Sequence, residues 1–285
     1  MRWTRERPPE IPPLHGVEWV VAVVRVLAFL LVSLIIAILL VLARFTGRYT
    51  GRRRPGAGII RFWGRFGLWC CGLTPEIRGE PMEHGGALVA NHSTWIDILG
   101  LLAAAEVTFV SKAEVRTWPF IGPLARLGRT VFIERRQKAV RSEMALLSAR
   151  IAAGDRMCFF PEGTSTDGSL VLDFRSSLFG AFHMPDHDTE IWVQPVSIGY
   201  APPAGLPPDF YGWWGDMGFA DNLLSVFGKS NGGRIRLSFH APVKASDFTS
   251  RKTLARYCCE VVRRGHAETM AEMRSGSTGA AQDIR

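Results

Sequence analysis

Cysteine is scarce in this chain and is unsuited to disulfide or metal chemistry. Among 285 residues there are five cysteines: Cys70–Cys71 and Cys258–Cys259 are adjacent pairs, and Cys158 stands alone in an apolar run. Neither the CxxC spacing of a metal site nor a disulfide framework occurs. We therefore expect no disulfides and no cysteine-bound metal, and we expect the folded part of the chain to face a reducing compartment such as the cytosol.

Excess positive charge is missing from most of the chain. The net charge is +8, and residues 1–65 alone contain eleven arginines, no lysine and three glutamates, which accounts for all of it. The rest of the chain is neutral overall, whereas a nucleic-acid-binding protein usually carries its excess charge on the folded domain. We therefore expect no nucleic-acid partner. Because the excess charge flanks one apolar segment, it indicates contact with a membrane surface.

Charge is absent altogether from Val26–Ala43, whose sequence is VLAFLLVSLIIAILLVLA. A helix of this length covers about 27 Å, close to the ~30 Å hydrocarbon core of a bilayer. A signal peptide is disfavoured because Arg44–Phe45 follows in place of a small-residue cleavage site. A buried core helix is the other alternative, but soluble helices rarely lack a polar stripe. We predict a transmembrane helix over about 20–43, inside a basic anchor region that covers 1–58.

The arginines predict the orientation of this anchor. Arg44, Arg48 and Arg52–Arg54 follow the apolar segment closely, whereas the arginines of residues 1–10 are interspersed with glutamates. The more positive flank of a membrane segment normally stays in the cytoplasm. We therefore expect an inner (cytoplasmic) membrane protein, single-pass or monotopic, whose folded domain faces the cytoplasm.

The next segment, 59–71, has the sequence IIRFWGRFGLWCC and predicts an amphipathic helix. Its aromatic residues recur at helical spacing on one face and its arginines share the other: Phe62, Phe66 and Trp69 against Arg61 and Arg65. Such a helix suits the headgroup layer of a membrane. It equally suits an ordinary helix that packs against the domain, and both roles are compatible.

From Gly86 onward, short apolar runs alternate with helical periods. The predicted strands are 87–90, 107–110, 130–133, 157–160, 191–200 and 234–240, and the predicted helices are 96–105, 138–153, 176–182 and 252–273. This alternation predicts an α/β fold with a mixed, largely parallel sheet flanked by helices, preceded by the N-terminal transmembrane or interfacial helical segment. We assign 59–274 to this domain and 275–285 to a frayed tail.

The stretch NHSTWID, residues 91–97, suggests an acid–base pair. A helix that begins near Ser93 places His92 at its start and Asp97 just over one turn in. Residues five apart are separated by about 140° around a helix, so the pair can meet only if His92 precedes regular helix and its ring leans back. Asp97 then accepts a hydrogen bond from Nδ1–H and stabilises the imidazolium that forms when Nε2 takes a proton. A structural His–Asp hydrogen bond is the alternative.

Three other readings remain open at this point. The sequence GTSTDG, residues 163–168, resembles the Gly-x-Ser-x-Gly elbow of serine hydrolases, but Asp167 replaces the last glycine. The sequence HMPDHD places His183, Asp186, His187 and Asp188 together, yet Pro185 interrupts a helical metal site. A non-catalytic membrane adaptor is the third alternative. None of the three needs the further motifs that follow.

Four motifs occur in a fixed order after the apolar segment: NHSTWID, then GRTVFIERR (128–136), FPEGTSTDG (160–168) and VQPVSIGY (193–200). Together they resemble the glycerolipid acyltransferase family that includes the lysophosphatidic acid acyltransferases. The resemblance covers about 61–273. It implies an acyltransferase that moves a fatty acyl group from acyl-CoA or acyl carrier protein to a lysolipid hydroxyl, with no cofactor and no metal.

The resemblance also implies roles for individual positions. His92 is the base that deprotonates the acceptor hydroxyl, and Asp97 is its partner. Pro195 shapes the acyl-thioester side. The remaining positions are expected to bind the acceptor: Gly128, Arg135, Glu162, Gly163 and Thr164, with Lys112 as a secondary candidate for an anionic contact. Because a glutamate repels phosphate, Glu162 is expected to position an arginine or to accept a substrate hydroxyl.

One position departs from the family pattern. The family commonly continues Glu-Gly-Thr with an arginine, whereas Ser165 follows Thr164 here, although Arg175 could replace the missing contact. The stretches EGTSTDG, FRSSLFGA, QPVSIGY and WWGDM resemble the lyso-ornithine lipid acyltransferase branch. That acceptor has an amino-acid headgroup and no phosphomonoester. Phosphatidic acid synthesis from 1-acyl-glycerol-3-phosphate, ornithine lipid synthesis and activity on both acceptors therefore stay open.

Overall fold

A computed structural model describes residues 11–50, 56–118, 121–134, 140–182 and 190–279. Within these ranges eight strands form one mixed sheet of order β1-β7-β6-β2-β5-β3-β4, with β8 paired to β6. The pairs β6–β7 and β6–β8 are antiparallel and the other pairs are parallel. The strands are β1 (Leu73–Arg78), β2 (Gly86–Ala90), β3 (Thr108–Lys112), β4 (Val131–Ile133), β5 (Arg156–Phe159), β6 (Trp192–Ala201), β7 (Gly233–Phe239) and β8 (Val243–Lys244).

Seven α-helices accompany the sheet in the described part of the chain. They are α1 (Val17–Thr50), α2 (Ala57–Cys70), α3 (Ile96–Ala104), α4 (Ile121–Leu127), α5 (Val140–Ala152), α6 (Phe219–Lys229) and α7 (Arg251–Gly279). Apolar side chains from α2, α3 and α6 cover one face of the sheet, and those of α5 and α7 cover the other. The predicted fold class, a mixed and largely parallel sheet flanked by helices, is confirmed.

Several element predictions need correction. The predicted helix over 176–182 is a short 3-10 helix, Leu178–Phe182. The strand β1 and the helices α4 and α6 were not predicted, and α7 continues to Gly279, beyond the expected boundary at 274. The strand β1 and the helix α4 are short, whereas α6 has 11 residues and a clear apolar period that was overlooked.

Helix α1 is longer than predicted and lies against the domain at both of its ends. By length and composition its stretch 17–46 could cross a membrane. Near its start, Arg25 donates hydrogen bonds to the carbonyls of Phe227 (2.8 Å) and Ser230 (2.7 Å), at the C-terminus of α6. Near its end, Arg44 donates to the carbonyl of Leu127. A helix of 34 residues extends about 51 Å, and Arg25 and Arg44 are about 28 Å apart along it, so these contacts hold more than half of its length beside the domain.

Helix α2 lies between α1 and α3, and one of its faces packs on the domain as an ordinary amphipathic helix does. Gly64 and Gly67 are buried against α3, so the glycine face packs on the domain. The aromatic face is exposed: Phe62 is 56% and Trp69 62% accessible, and both stack on Phe66. Together with the exposed apolar side chains of α1, these rings leave many large hydrophobic groups at the surface.

We expect the α2–α3 contact to depend on Gly64. A Cβ at this position would lie 2.6 Å from the amide nitrogen of Ala103 and 2.8 Å from the carbonyl oxygen of Leu99, and neither backbone atom can move away freely. Gly64→Ala should therefore destabilise the protein by about 1–3 kcal/mol and lower Tm in thermal unfolding. Gly58→Ala is the matched control, because a Cβ at Gly58 meets nothing within 4 Å. Equal Tm values for the two variants would contradict the close contact.

Candidate active site

The candidate site lies where the parallel strands β2 and β5 end side by side. His92 follows β2 by two residues, and the loop that begins at Phe160 follows β5 directly. Asn91 fixes the end of β2 to β6: its amide donates to the carbonyl of Ile198 (2.9 Å), and its oxygen accepts from the Ile198 amide (2.8 Å). The carboxyl edge of a parallel sheet is the usual place for a binding site in such folds.

The predicted contact between His92 and Asp97 is present. Nδ1 of His92 lies 2.8 Å from Oδ2 of Asp97, and the carboxylate is completely buried. The same oxygen accepts the backbone N–H groups of Ser93 (2.8 Å) and Thr94 (3.1 Å). Helix α3 begins at Ile96, as the apolar period predicted, and not near Ser93, so the carboxylate bonds to the turn before the helix. A ring nitrogen that faces a carboxylate carries the proton, which leaves Nε2 as an acceptor.

Tyr200 completes the environment of Asp97 and was missed by the sequence analysis. Its hydroxyl donates to the second carboxylate oxygen, Oδ1, at 2.6 Å. Burial and the neighbouring Asp97 charge hold the pKa of Tyr200 well above its usual range, so the phenol keeps its proton as a donor. Tyr200 is the last residue of the motif VQPVSIGY, but nothing in a single sequence connects a strand residue to a carboxylate more than a hundred positions earlier.

The loop after β5 holds His92 from three directions. Glu162 Oε1 accepts the backbone N–H of His92 (2.7 Å), and the amide of Thr166 donates to the His92 carbonyl (3.0 Å). The ring of Phe160 stacks on the imidazole with centroids 4.0 Å apart and planes at 11°. The His92 side chain remains 19% exposed, so the imidazole is fixed in place and still reachable.

Glu162 binds main-chain N–H groups, and its predicted role in binding the acceptor stays a prediction. It is buried, and its second oxygen accepts the N–H of Leu172 at 2.7 Å, so each of its oxygens takes one main-chain donor. Burial raises the pKa of Glu162 to about 8, against the opposing effect of the Leu172 and His92 amides. The described contacts thus assign Glu162 to holding the two loops together.

Gly163, Thr164 and Arg175 lie at the surface beside this loop. Gly163 has φ of 75°, and a Cβ there would lie 3.3 Å from the guanidinium carbon of Arg175, so the arginine covers the glycine. The amide of Arg175 donates to the carbonyl of Pro161 (2.9 Å), and its side chain and Thr164 are exposed. The three predicted acceptor positions are therefore neighbours. Their role in binding stays a prediction.

The remaining predicted positions are more scattered. Lys112 is exposed at the end of β3, opposite Ile133 of β4. Gly128 directly follows α4, ahead of Arg129, which has φ of 62° and makes the left-handed turn that ends the helix. Arg135 lies outside the described residues, as does the stretch 183–189 that was considered for metal. Binding by Lys112, Gly128 and Arg135 stays a prediction.

Pro195 lies within β6, where a proline normally breaks the sheet. Its carbonyl accepts the amide of His240 (3.0 Å), on the side where the partner of β6 changes from β8 to β7. The N–H that proline lacks would therefore point between the stretch of β6 that pairs with β8 and the stretch that pairs with β7. Neither of these strands loses a hydrogen bond. This explains how β6 tolerates the proline. Its predicted effect on the acyl-thioester side stays a prediction.

Three comparisons with known proteins agree on the kind of protein that carries this site. Residues 75–199 match the family model described as Acyltransferase. The lyso-ornithine lipid O-acyltransferase of Rhodobacter capsulatus is 49% identical over 194 residues, which cover 68% of this chain and 70% of that protein. The corresponding enzyme of Rhizobium meliloti is 34% identical over 221 residues, with 74% and 75% covered.

Two further matches are named as acyltransferases of 1-acyl-glycerol phosphate. The 1-acyl-sn-glycerol-3-phosphate acyltransferase of Neisseria gonorrhoeae is 32% identical over 104 residues, which cover 36% of this chain and 41% of that protein. The crystal structure of the 1-acyl-sn-glycerophosphate acyltransferase PlsC from Thermotoga maritima superposes with a TM-score of 0.58 and 24% identity. It covers 87% of this chain and 98% of that one, so the two chains share a fold.

The raised pKa of Glu162 predicts a pH-dependent stability. A carboxyl whose pKa is higher in the folded state than in the unfolded chain stabilises the fold most at low pH. That contribution decreases as pH rises from about 4.5 and is lost above about 8. Tm of the wild type should therefore fall between pH 6 and pH 9, and Glu162→Gln should flatten that part of the decrease. Glu260→Gln, at an exposed position on α7, is the control and should keep the wild-type slope.

Proposed function

The chain belongs to the acyltransferase family and is a lysolipid acyltransferase, and we propose that its acceptor is a lyso-ornithine lipid. The product would be an ornithine lipid, formed by transfer of a fatty acyl group to the free hydroxyl. The proposal is supported by four relatives named lyso-ornithine lipid O-acyltransferase, at 49%, 34%, 39% and 34% identity. The observation that carries the chemistry is the 2.8 Å contact between His92 and the buried Asp97.

In the proposed mechanism His92 acts as a general base. Its Nε2 takes the proton of the acceptor hydroxyl as the oxygen attacks the thioester carbonyl carbon, and a tetrahedral intermediate forms. The C–S bond then breaks, the imidazolium returns the proton to the leaving thiolate, and an ester and a thiol are released. Asp97 stabilises the imidazolium, while Tyr200 and the Ser93 and Thr94 amides keep the carboxylate aligned.

Acyl transfer to a hydroxyl of this kind needs no enzyme nucleophile. Ser165 is the candidate nucleophile in the hydrolase alternative. Its hydrogen bond in the structure is at the backbone carbonyl, which accepts the Thr164 hydroxyl at 3.4 Å, and does not activate the serine hydroxyl. The described contacts of the His92 ring are Asp97 and Phe160. The base therefore faces the substrate side with Nε2, and the acceptor hydroxyl takes the place that a catalytic serine holds in a hydrolase.

The residue after Thr164 supports the proposed headgroup of the acceptor. An arginine there would offer a guanidinium fork to a phosphomonoester, whereas Ser165 offers a neutral hydroxyl. The loss of a fixed cation favours an acceptor with an amino-acid headgroup, which carries its own positive charge. Phosphatidic acid synthesis is the second candidate, supported by the shared fold and by the Neisseria relative.

The membrane is contacted by one face of α1 and α2. Because α1 is attached to the domain near both ends, a single crossing of the bilayer would separate Arg25 or Arg44 from its carbonyl partner. The exposed apolar side chains of α1, together with Phe62 and Trp69 of α2, instead form one continuous surface. We therefore propose a monotopic protein on the cytoplasmic leaflet of the inner membrane, with α1 lying in the interface.

The acceptor assignment is tested with purified protein, labelled acyl-CoA or acyl carrier protein, and each of the two lysolipids. We expect a higher kcat/KM with lyso-ornithine lipid, and a loss of at least 1,000-fold in His92→Ala, because general base catalysis and the aligned pair are both removed. Ser165→Ala should keep substantial turnover, and Ser165→Arg should raise the relative kcat/KM for 1-acyl-glycerol-3-phosphate. Absence of product from either lysolipid with folded wild-type protein would reject the proposed function.

Tyr200→Phe should lower kcat by roughly 5- to 50-fold, because it removes a hydrogen bond to a charged carboxylate. Without that donor, more of the Asp97 charge acts on His92, so the acidic limb of the pH profile of kcat/KM should move to higher pH. KM for both substrates should stay unchanged. Tyr257→Phe, on the surface of α7, serves as the control. A lower kcat with an unmoved pH profile would indicate a purely structural role for Tyr200.

Membrane topology can be tested by labelling single introduced cysteines, since all five native cysteines are buried. Pro13→Cys and Thr46→Cys introduce thiols at exposed positions near the two ends of α1. A monotopic α1 predicts that a membrane-impermeant thiol reagent labels both from the same side of sealed inner-membrane vesicles. Labelling from opposite sides would show that α1 spans the bilayer.

A further inference from the structure

Two tryptophans from separate loops meet beside the catalytic turn. Trp118 follows the 3-10 helix that comes after β3, and Trp213 belongs to the loop after β6. Their ring centroids are 6.5 Å apart, and the ring planes are nearly perpendicular at 84°. Trp118 is 36% accessible and Trp213 is half-buried, so the pair presents aromatic surface to solvent. Neither ring has a part in the proposed mechanism.

The order of the strands places this pair at the candidate site. Strands β6, β2, β5 and β3 are neighbours in that order and run parallel, so their carboxyl ends share one edge of the sheet. The outer two, β6 and β3, are three strand spacings or about 14 Å apart. The loops that follow them meet at Trp118 and Trp213, beside the ends of β2 and β5. His92 follows β2, and Thr164 and Ser165 follow β5, so the pair borders the same site.

Hydrogen bonds fix Trp213 to the catalytic turn. Its backbone N–H donates to the Ser93 carbonyl (2.9 Å), next to the His92 carbonyl that accepts the amide of Thr166 (3.0 Å). Its indole N–H donates to the Met217 carbonyl (2.9 Å) and closes a short turn in the loop. The turn that carries the base is therefore held both by the loop of the proposed headgroup positions and by the loop of Trp213.

The two segments that carry the tryptophans have opposite charge. The loop 202–218 contains Asp209 and Asp216 and no lysine, arginine or histidine. Asp216 is exposed and lies within the turn that the indole N–H closes. The segment 112–118 contains two cations and one acid, so it is positive by one charge. A ligand with both an ammonium and a carboxylate complements the two segments, with its ammonium towards the acidic loop.

Aromatic rings in this arrangement suit an ammonium group. The face of an indole attracts a cation more strongly than the face of any other aromatic side chain, and this attraction is the basis of aromatic cages for ammonium ligands. Two rings at a right angle can contact one ammonium from two sides, and a nearby acidic loop adds to the attraction. A phosphomonoester is an anion and gains nothing from either feature.

We propose that Trp118 and Trp213 bind the ammonium group of the lysolipid headgroup, an inference that rests on the proposed lyso-ornithine lipid acceptor. An ornithine headgroup has an aliphatic amine, which is protonated at neutral pH, and a carboxylate. The ammonium lies against the two rings on the side of the loop 202–218, and the carboxylate lies towards Lys112. The pair thereby recognises the headgroup without touching the hydroxyl that reacts at His92.

This contact adds an attractive term to the argument from Ser165. The absence of a cation after Thr164 removes a reason to bind a phosphomonoester, whereas the two rings supply a reason to bind an amine. Specificity is the difference between two affinities, so both features shift the choice of acceptor in the same direction.

The test compares lyso-ornithine lipid with a matched lysolipid in which a hydroxyl replaces the terminal amine of the headgroup. We expect the KM of the wild type to be about 5- to 30-fold lower for the amine, as cation–π contact of this kind gives. Trp118→Leu and Trp213→Leu should each raise the KM for the amine towards that for the neutral lysolipid, with the neutral KM and kcat unchanged within 2-fold. Trp118→Phe should lie in between, because a phenyl ring attracts cations more weakly.

Tyr257→Leu, at an exposed aromatic position on α7, is the control and should leave both KM values within 2-fold of the wild type. Equal rises in KM for the two lysolipids in Trp118→Leu would show that the ring contacts the alkyl part, and would overturn the inference. A wild type that does not distinguish the two lysolipids would overturn it as well. If Trp213→Leu fails to fold, Trp118→Leu decides, because its side chain is exposed.

Failure of the proposed function has a different signature. A wild type that acylates 1-acyl-glycerol-3-phosphate and neither of the two amino-acid lysolipids would reject the acceptor on which the inference rests. A wild type that acylates both amino-acid lysolipids with equal KM keeps the proposed function and loses only the role of the two tryptophans.

Discussion

The completely buried carboxylate of Asp97 is the constraint on which the rest of the site depends. Removing an ionised carboxylate from water is tolerated only when nearly every lone pair receives a donor. Here the donors come from the turn at Ser93 and Thr94, from the His92 ring and from Tyr200. Since these groups belong to the end of β2, the start of α3 and the middle of the sheet, satisfying one charge fixes the relative positions of three elements.

The backbone of His92 is held by a second buried carboxyl group, and the two acids have different tasks. Asp97 acts on the imidazole and shares its charge with the ring during turnover, so it has to remain ionised. Glu162 acts on the main chain, and its pKa of about 8 shows how strongly burial favours its neutral form. The two buried acids can lie close together because their environments differ. Asp97 accepts from four hydrogen-bond donors, whereas Glu162 accepts from two.

Parts of this arrangement could be predicted from the sequence, and the limits have physical causes. The contact between His92 and Asp97 could be predicted from their spacing, because only a few residues separate them and the geometry of a helix start restricts where their side chains can lie. Tyr200 and the true partners of Glu162 depend on how β6 and the 171–173 segment fold back, and no local pattern encodes such distant pairings. The apolar period of α1 predicted its length approximately, but attachment at both ends depends on Arg25 and Arg44 meeting carbonyl groups of α6 and α4.

The groups proposed to carry out the chemistry are more buried than the positions proposed to meet the headgroup of the acceptor. The base, its carboxylate and the loop that holds them are built from buried groups whose partners are mostly backbone atoms, so they tolerate little change whatever the acceptor. In the proposed function, the headgroup of the lipid is met instead by positions after Glu162 that are not buried, such as Thr164, Ser165 and Arg175, where a substitution disturbs no buried hydrogen bond. On this proposal, acceptor choice would change by replacing side chains that are not buried while the chemistry stays the same, and for this reason a substitution of Ser165 tests the acceptor more directly than one at any residue that touches His92.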